Sequence, residues 1–352
     1  AWACMAALEA AAIHTATSCW YSDPCPASLD WLERHKRGCF TFESCCPFDG
    51  TMSPNCWSEK YTFTECCALS VDGDNERHIP FWHSRRVLVK LQPRAAKLAG
   101  RSEGHFLSFQ QNASTTGVDW EIYRPANVPL VLWRSGYNMM RWLENAMISR
   151  VDLRGRSVLE LGAGIGLVAV VAALGGASVV ATDGSGDAVQ LMRRNALSNL
   201  NRKEVRRFRS LKLDWLAVME GAETQGVSRE AARQRLQAFG VRGHFDFVIC
   251  AALGYVPPPI FQALLGILDL VTSKETIVVW GAGIDKTNVM NTSQPQNDYS
   301  GELRKAFWVL GQTRGSGRLE NFYLYELGRR PSWRRAPIFQ TDARRDQVQT
   351  RR

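Results

Sequence analysis

The stretch VLELGAGIG at residues 158–166 decides the fold class of this 352-residue chain. Its first four residues predict a short buried strand, and the apolar run at residues 167–174 predicts a buried helix directly after the glycines. Glycines at such a turn let the backbone bend tightly, and they let a ligand approach the main-chain N–H groups that begin the helix. The stretch therefore predicts the first strand, turn and helix of an α/β sheet, with a ligand site at the turn.

Strands and helices alternate through the rest of this region, which is typical of a parallel sheet with helical connections. Further strands are predicted at residues 178–182, 208–213, 245–251 and 276–280, helices at 188–200, 228–239 and 259–271, and a closing antiparallel hairpin at 307–310 and 322–325. Upstream, strands are predicted at 106–109 and 118–122 and a helix at 131–148. The segment 216–244 is predicted to be an insertion that needs no chemical role.

The spacing of the glycines and one acidic residue narrow the choice of ligand. Dinucleotide-binding turns run G-x-G-x-x-G around a pyrophosphate, whereas this turn runs G-x-G-x-G and has Leu167 where the third glycine would be. Glu160, two residues before the first glycine, would repel a pyrophosphate but suits a cationic ligand. S-adenosylmethionine carries an ammonium, a sulfonium and no phosphate. The turn therefore predicts this cofactor and makes a nicotinamide-dependent oxidoreductase the last of the alternatives.

Other residues at predicted strand ends suit a nucleoside. Asp183 follows the second strand, where a carboxylate can accept hydrogen bonds from both ribose hydroxyls; on its own it would be interpreted as a helix cap. Asp214 follows the third strand and can reach an adenine amino group, while Trp215 either covers the base or packs in the core. Trp133, near the start of the predicted helix at 131–148, either walls the ligand pocket or packs in the core.

Together with Tyr255 after the fourth strand, these residues resemble the seven-stranded, S-adenosylmethionine-dependent protein-lysine methyltransferases, the group that includes the calmodulin-lysine and chaperone-lysine methyltransferases. The resemblance covers residues 105–328. It implies a Rossmann-like seven-stranded methyltransferase sheet, a protein-lysine N-methyltransferase activity and a lysine-bearing protein substrate.

The resemblance also implies roles for individual residues. Gly162, Gly164 and Gly166 would line the cofactor, with Glu160 near its amino acid end. Asp183 would hold the ribose, Asp214 and Trp215 would hold the adenine, and Trp133 would lie at the cofactor pocket. All eight are therefore predicted to be cofactor-binding residues, and Tyr255 is the predicted catalytic residue.

One departure from the family affects the acceptor side. The fourth strand of these enzymes is usually followed by Asp-x-x-Tyr, which helps form the lysine channel, but here Ala252 stands at the Asp position and only Tyr255 remains. A carboxylate would orient the lysine amine, which must lose its proton before attack. Two alternatives therefore stay open beside the lysine enzyme: a methyltransferase for a small molecule or another nucleophile, and a catalytically weak cofactor-binding or scaffold protein.

The N-terminal region, residues 1–71, is rich in cysteine and contains a short repeat, FTFESCC at 40–46 and YTFTECC at 61–67. Nine of the ten cysteines lie there: Cys4, Cys19, Cys25, Cys39, Cys45, Cys46, Cys56, Cys66 and Cys67. Adjacent cysteine pairs are awkward ligands for one zinc ion and are common in disulfide scaffolds, so disulfides are favoured over zinc and no metal site is predicted. An appendage without chemistry is the third possibility.

The net charge of +9 is concentrated at the C-terminus, where residues 329–352 hold eight Arg and two Asp. Arg pairs separated by prolines predict a disordered, solvated tail, so no specific nucleic-acid partner is predicted. The predicted organisation is the Cys-rich region at 1–71, a linker at 72–104 with one helix at 85–98, the methyltransferase domain at 105–328 and the tail.

Hydropathy gives two further expectations. No apolar run approaches the roughly 18 residues of a membrane-spanning helix, so no membrane span is predicted. The first residues lack the basic leader of a signal peptide, which favours the cytosol, while a disulfide scaffold would favour an oxidising compartment. The sequence does not predict an oligomeric state.

Overall fold

A computed structural model of the chain describes residues 69–70, 86–112, 128–221, 228–251, 253, 256–283, 299–314 and 322–330. The predictions for the cysteines of the N-terminal region, the strand at 118–122, Ala252, Tyr255 and residues 331–352 lie outside the described residues. The chain divides into two compact units: Ala1–Trp133 with Arg194–Asn199, and Arg134–Arg193 with Leu200–Arg352.

The first unit contains a small sheet of three described strands. Its elements are β1 (Leu69–Ser70), β2 (Arg86–Lys90), α1 (Pro93–Leu98) and β3 (Phe106–Gln110). β2 pairs in parallel with β1 and antiparallel with β3. The predicted strand at 106–109 is confirmed as β3, but the single helix predicted at 85–98 is wrong. Val87 and Val89 alternate with half-buried residues in β2, and Pro93, which fits only the first turn of a helix, begins α1.

The second unit contains the large sheet. Its elements are α2 (Arg134–Ser149), β4 (Ser157–Leu161), α3 (Leu167–Leu174), β5 (Ser178–Asp183), α4 (Gly186–Asn199, whose last six residues belong to the first unit), α5 (Arg202–Val205), β6 (Phe208–Lys212), α6 (Trp215–Val218), α7 (Arg229–Ala238), β7 (Phe247–Ala251), α8 (Pro258–Val271), β8 (Ile277–Gly283), α9 (Ser300–Ala306), β9 (Phe307–Arg314) and β10 (Phe322–Arg329). Every strand and helix predicted between residues 131 and 325 is present, with bounds shifted by a few residues.

The seven strands run in the order β6–β5–β4–β7–β8–β10–β9. β4 to β8 are parallel, while β10 is antiparallel to both β8 and β9. The Rossmann-like seven-stranded sheet is therefore confirmed. The chain leaves β4 in one direction through β5 and β6 and resumes on the other side with β7, so the order reverses between β4 and β7. Ligands of such sheets bind outside the carboxyl ends of the strands at this reversal.

The core of the second unit lies on both faces of the parallel strands. All eight residues of α3 are buried, as is most of α8, because these apolar helices cover the strands of the sheet. The central strands are accordingly apolar without alternation, and β4 and β7 each bury four of their five residues. The acidic Glu160 on β4 is an exception to this apolar composition.

The last strand extends beyond the predicted domain boundary at 328. Arg329 belongs to β10, and its guanidinium binds the buried Asp269 on α8. The backbone N–H of Arg330 donates to Ala306, and its guanidinium lies 3.6 Å above the Trp308 ring. The prediction of a solvated tail is therefore wrong for its first two residues, because these two arginines have partners within the fold.

None of the helices in the described ranges combines the length and apolar composition needed to cross a bilayer. Within the same ranges, no cluster of His, Cys, Asp and Glu is arranged to hold a metal ion.

Candidate functional site

The glycine turn after β4 adopts a backbone that only glycine accommodates easily. Gly162, Gly164 and Gly166 all have positive φ, at 69°, 54° and 87°. A Cβ atom on Gly162 would lie 2.7 Å from a methyl carbon of Leu253, and one on Gly166 would lie 2.5 Å from Cγ of Met192. Leu253 and Met192 therefore pack closely against the turn. A side chain at Gly162 would collide with Leu253, and one at Gly166 would collide with Met192. We refer to residues 162–166 as the glycine loop.

The carboxylate of Asp183 fastens the glycine loop to the end of β5. Its Oδ2 accepts a hydrogen bond from the N–H of Gly164 at 3.0 Å, and its Oδ1 accepts one from the N–H of Ser185 at 2.9 Å. Asp183 is buried, and this burial raises the pKa of its carboxyl, against the opposing effect of the backbone N–H groups. A carboxylate has about four lone-pair positions, so both oxygens retain capacity for ligand hydroxyls.

Glu160 places a second acidic group at the first turn of α3, which follows the glycine loop. The residue is 2% exposed, its carboxyl accepts a hydrogen bond from the N–H of Ala169 in the first turn of α3, and its Oε2 has no partner among the described residues. Burial, with a smaller repulsion from Asp183, raises the pKa of Glu160 to about 8. The thiol pKa of the buried Cys250 is also raised, chiefly by burial and further by Glu160. These buried acidic groups have no described counter-charge, and a bound cation would stabilise their ionised forms.

The end of β6 lies next to Asp183, because the N–H of Leu213 donates to the Asp183 carbonyl at 2.9 Å. Asp214 is exposed and caps α6, where its Oδ1 accepts from the N–H of Ala217 at 3.2 Å. Trp215 is half-buried against the core, and its indole N–H is buried without a described partner. A buried donor of this kind is one that a ligand acceptor can satisfy.

The structure thus brings together seven of the predicted site residues at the carboxyl ends of β4, β5 and β6: Glu160, Gly162, Gly164, Gly166, Asp183, Asp214 and Trp215. Trp133 belongs to the first unit, where its indole N–H donates to the Val128 carbonyl at 2.6 Å. Its predicted place at the cofactor pocket stays a prediction, as does the role of Tyr255, which lies outside the described residues.

Sequence reasoning missed Leu253 and Met192, the two side chains that pack against the glycine loop. Both are apolar residues in apolar surroundings, so nothing in the sequence distinguishes them from other core residues. Their importance follows only from which glycine each one touches.

Comparison with known proteins agrees with this geometry. A family model described as lysine methyltransferase matches residues 119–228. The protein N-lysine methyltransferase METTL21A of Danio rerio is 30% identical over 161 residues, which are 46% of this chain and 62% of that protein. METTL21A of Mus musculus is 39% identical over 26% of this chain and 39% of that protein, and the protein-lysine methyltransferase METTL21E of Bos taurus is 27% identical over 43% and 46%. The resemblance predicted from the sequence is confirmed, although the chain spans less than two thirds of these relatives.

Solved structures of methyltransferases also match. The ribosomal protein L11 methylase from Lactobacillus delbrueckii subsp. bulgaricus matches with a TM-score of 0.35 and 19% identity, over 54% of this chain and 78% of that one. Magnesium protoporphyrin IX methyltransferase from Synechocystis with bound SAM matches with a TM-score of 0.39 and 16% identity, over 59% and 85%.

Proposed function

We propose that this chain, whose residues 119–228 match the lysine methyltransferase family, is an S-adenosylmethionine-dependent protein-lysine N-methyltransferase. The observation that carries the proposal is the buried carboxyl of Glu160, which lies at the first turn of α3 and whose Oε2 has no partner among the described residues. The adjoining glycine loop is bound by Asp183. An acidic site of this kind is suited to a cationic nucleoside and unsuited to a pyrophosphate. The similarity to protein-lysine methyltransferases supports the choice of a protein lysine as acceptor.

The residues present fit S-adenosylmethionine. Glu160 would hold the ammonium of its amino acid end, and the two Asp183 oxygens would accept the ribose hydroxyls. Asp214 would accept from the adenine amino group, while Trp215 would cover the base and offer its indole N–H. Gly162, Gly164 and Gly166 would let the main chain approach, and Trp133 would wall the pocket. When bound, this cofactor supplies a methyl group on a sulfonium, which is a good leaving group.

The remaining task of the protein is to present the acceptor. A lysine ε-amine has a pKa near 10.4 in water and has no lone pair while protonated, so the site must accept it in its neutral form. Exclusion of water lowers the pKa of a buried amine. Contacts with the walls of the site would hold the amine in line with the methyl group. We assign Tyr255 to this side of the site, where its ring would pack along the lysine stem.

The proposal is tested with the full chain and radiolabelled S-adenosylmethionine in a cell lysate, followed by mapping of the labelled residues. Label on protein lysines is the expected result. Calorimetry with S-adenosylmethionine and with NAD provides the opposing outcome, since binding of NAD without binding of S-adenosylmethionine would overturn the assignment of the site.

Glu160→Gln tests the cation site, and we expect it to weaken S-adenosylmethionine binding by about 10- to 100-fold at pH 7.5. The wild-type affinity should rise between pH 6 and pH 7.5, because the carboxyl has a pKa of about 8 without ligand and must ionise to bind a cation. The variant should lose this pH dependence. Calorimetry across this pH range measures both effects.

The same substitution should also change how the free energy of unfolding depends on pH. Folding raises the pKa of Glu160 from 4.5 to about 8, so its contribution to the free energy of unfolding is fully present below pH 4.5 and declines as pH rises toward 8. Gln removes this decline. Glu204→Gln is the matched control for cofactor affinity, because Glu204 is also buried but its carboxyl caps α5. This control should leave cofactor affinity unchanged. Equal cofactor affinity in wild type and Glu160→Gln would contradict the assignment.

Ala252→Asp restores the missing carboxylate of the family motif. We expect cofactor affinity to change by less than about twofold and turnover on a lysine acceptor to rise, because a carboxylate can orient the amine. Single-turnover kinetics on a mapped substrate measure the effect. Unchanged or lower turnover would favour the second candidate function, a methyltransferase for a different nucleophile or a cofactor-binding scaffold, which the alanine itself motivates.

The proposed partner is a lysine-bearing protein, and we propose no specific nucleic-acid partner. The catalytic domain is proposed to occupy residues 105–328, with the last strand ending at Arg329. The cytosol is the compartment that we propose for this activity.

A further inference from the structure

The order of the strands separates the nucleoside side of the candidate site from its other side. Asp183 and Asp214 lie at the ends of β5 and β6, on one side of the glycine loop. On the other side β4 is flanked by β7, so the segment that follows β7 borders the loop there. Leu253 in this segment is buried against Gly162. A methyl acceptor must reach the loop without crossing the nucleoside residues, and this segment borders the side that remains.

A side-chain hydroxyl from a distant part of the chain binds the backbone of this segment, next to the bond at 3.0 Å from the N–H of Phe261 to the Pro257 carbonyl. Tyr299, 9% exposed, donates its hydroxyl to the backbone carbonyl of Val256 at 2.5 Å. Pro257, Pro258 and Pro259 follow and have no N–H to donate, so they contribute no backbone donor to fix the segment. The Tyr299 hydroxyl therefore fixes main chain that lies between β7 and α8.

The ring of Tyr299 is itself held firmly. It stacks on Phe261 in the first turn of α8, with ring centroids 3.7 Å apart and planes within 5°. Phe261 in turn meets Trp280 of β8 edge to face, at 6.0 Å and 86°. Three aromatic rings from separate parts of the chain thus set the direction of one hydroxyl, because stacked and edge-to-face rings resist rotation in a packed core.

We propose that Tyr299 is a positioning residue for the methyl acceptor: its hydroxyl fixes the backbone at Val256, near Leu253, on the side of the glycine loop where the acceptor amine is aligned. The inference rests on the proposed methyltransferase function. The alignment of a nucleophile with a methyl group is sensitive to displacements of about 1 Å, so a loosened segment slows transfer while the nucleoside side keeps its contacts.

Tyr299→Phe tests the proposal, because it keeps the stacked ring and removes only the hydroxyl. Thr276→Val is the matched control. Thr276 is buried directly before β8, at the amino ends of the parallel strands, and its hydroxyl donates to the Phe245 carbonyl at 2.7 Å. Each variant loses one buried hydroxyl-to-carbonyl bond, so Tyr299→Phe should lower the melting temperature by about 2–4 °C. Thr276→Val should lower it at least as much, because the Thr276 hydroxyl also accepts from the N–H of Ser273 at 2.8 Å.

The two variants should differ in function and in local exchange. For Tyr299→Phe we expect kcat/KM for the protein acceptor to fall about tenfold, with the S-adenosylmethionine Kd within about twofold. Hydrogen–deuterium exchange should rise in the peptide that contains Leu253 and Val256. Thr276→Val should leave kcat/KM, Kd and the exchange of this peptide unchanged.

Two results would overturn the inference: an equal loss of kcat/KM in both variants, or wild-type exchange of the Leu253–Val256 peptide in Tyr299→Phe. The exchange measurement needs no catalysis, so it shows whether Tyr299 fixes the backbone at Val256 even in a protein without activity. Absence of methyl transfer by the wild-type chain instead overturns the proposed function, and the two failures are therefore distinguishable.

Discussion

Replacement of Asp183 with alanine is expected to reduce the affinity for S-adenosylmethionine at least about 100-fold. Two contributions add up in this loss. Hydrogen bonds from ribose hydroxyls to a carboxylate are worth about 1.5–3 kcal/mol each, and both would disappear. The N–H of Gly164 also loses its acceptor, so the glycine loop keeps the bond from the Ala163 N–H to the Thr182 carbonyl at 2.9 Å but loses the one to Asp183.

Asp183→Asn separates these contributions. Its amide oxygen can still accept from the N–H of Ser185, but the charge is removed and an NH₂ group faces the N–H of Gly164. We therefore expect an affinity between those of wild type and Asp183→Ala. Calorimetric titration of the full chain with S-adenosylmethionine measures all three proteins.

Asp246→Ala is the matched control, because Asp246 also accepts from a backbone N–H, that of Ser157 at 2.8 Å, at the amino end of the sheet. It should lower stability without changing cofactor affinity. Wild-type affinity in Asp183→Ala would remove Asp183 from the site and leave it as a turn residue only.

The sheet and most of the candidate site could be predicted from the sequence because both are governed by local patterns. Buried parallel strands appear as short apolar runs, and the glycine loop lies directly after the first of them. Acidic residues at strand ends meet at one edge of the sheet because parallel strands share that edge. Glu160, Asp183 and Asp214 therefore lie where the sequence predicted, although they are far apart in the chain.

Features that depend on contacts between distant residues could not be predicted in this way. In the first unit, the side-chain amides of Asn195 and Asn199 each form two hydrogen bonds with β3, to the backbone of Gln110 and Ser108 at 2.7–3.0 Å. These amides bind backbone N–H and carbonyl groups of β3, which is an edge strand of the described three-stranded sheet. Nothing in the spacing of two asparagines on a helix indicates which strand they bind.

The arginines at 329 and 330 were misinterpreted for the same reason. A run of Arg and Pro after the last predicted strand is typical of a solvated tail. The partner that holds Arg329 in the fold is Asp269, an acidic residue within an otherwise apolar helix. The charge of one residue and the burial of the other become informative only once the two are seen together.

Replacement of Asp269 with alanine is expected to lower the free energy of unfolding by about 3–5 kcal/mol, a large part of the 5–15 kcal/mol typical of a domain. Asp269 is fully buried between two arginines. Arg229 of α7 donates Nε to its Oδ2 at 2.9 Å, and Arg329 binds its Oδ1 and donates Nη1 to its carbonyl at 2.9 Å. Alanine removes the carboxylate that both of these largely buried guanidinium groups bind.

Urea unfolding followed by fluorescence measures this effect, and an exposed ion pair supplies the control. Arg154 lies 2.8 Å from Asp152, and both side chains are mostly exposed. Arg154→Ala should therefore leave the free energy of unfolding nearly unchanged. A loss of similar size in Asp269→Ala would show that the buried cluster contributes no more than a surface pair.

The cluster also determines how far the folded chain must extend. Arg329→Ala should lower stability nearly as much as Asp269→Ala, because it removes one of the two arginines that bind Asp269 and the donor to the Thr272 carbonyl. A chain that stops at residue 328, the boundary predicted from composition, should show the same loss. One that stops at 330 should retain wild-type stability, because it keeps both the Asp269 contact and the stack of Arg330 on Trp308. Equal stability of the two truncated chains would contradict this account of the last strand.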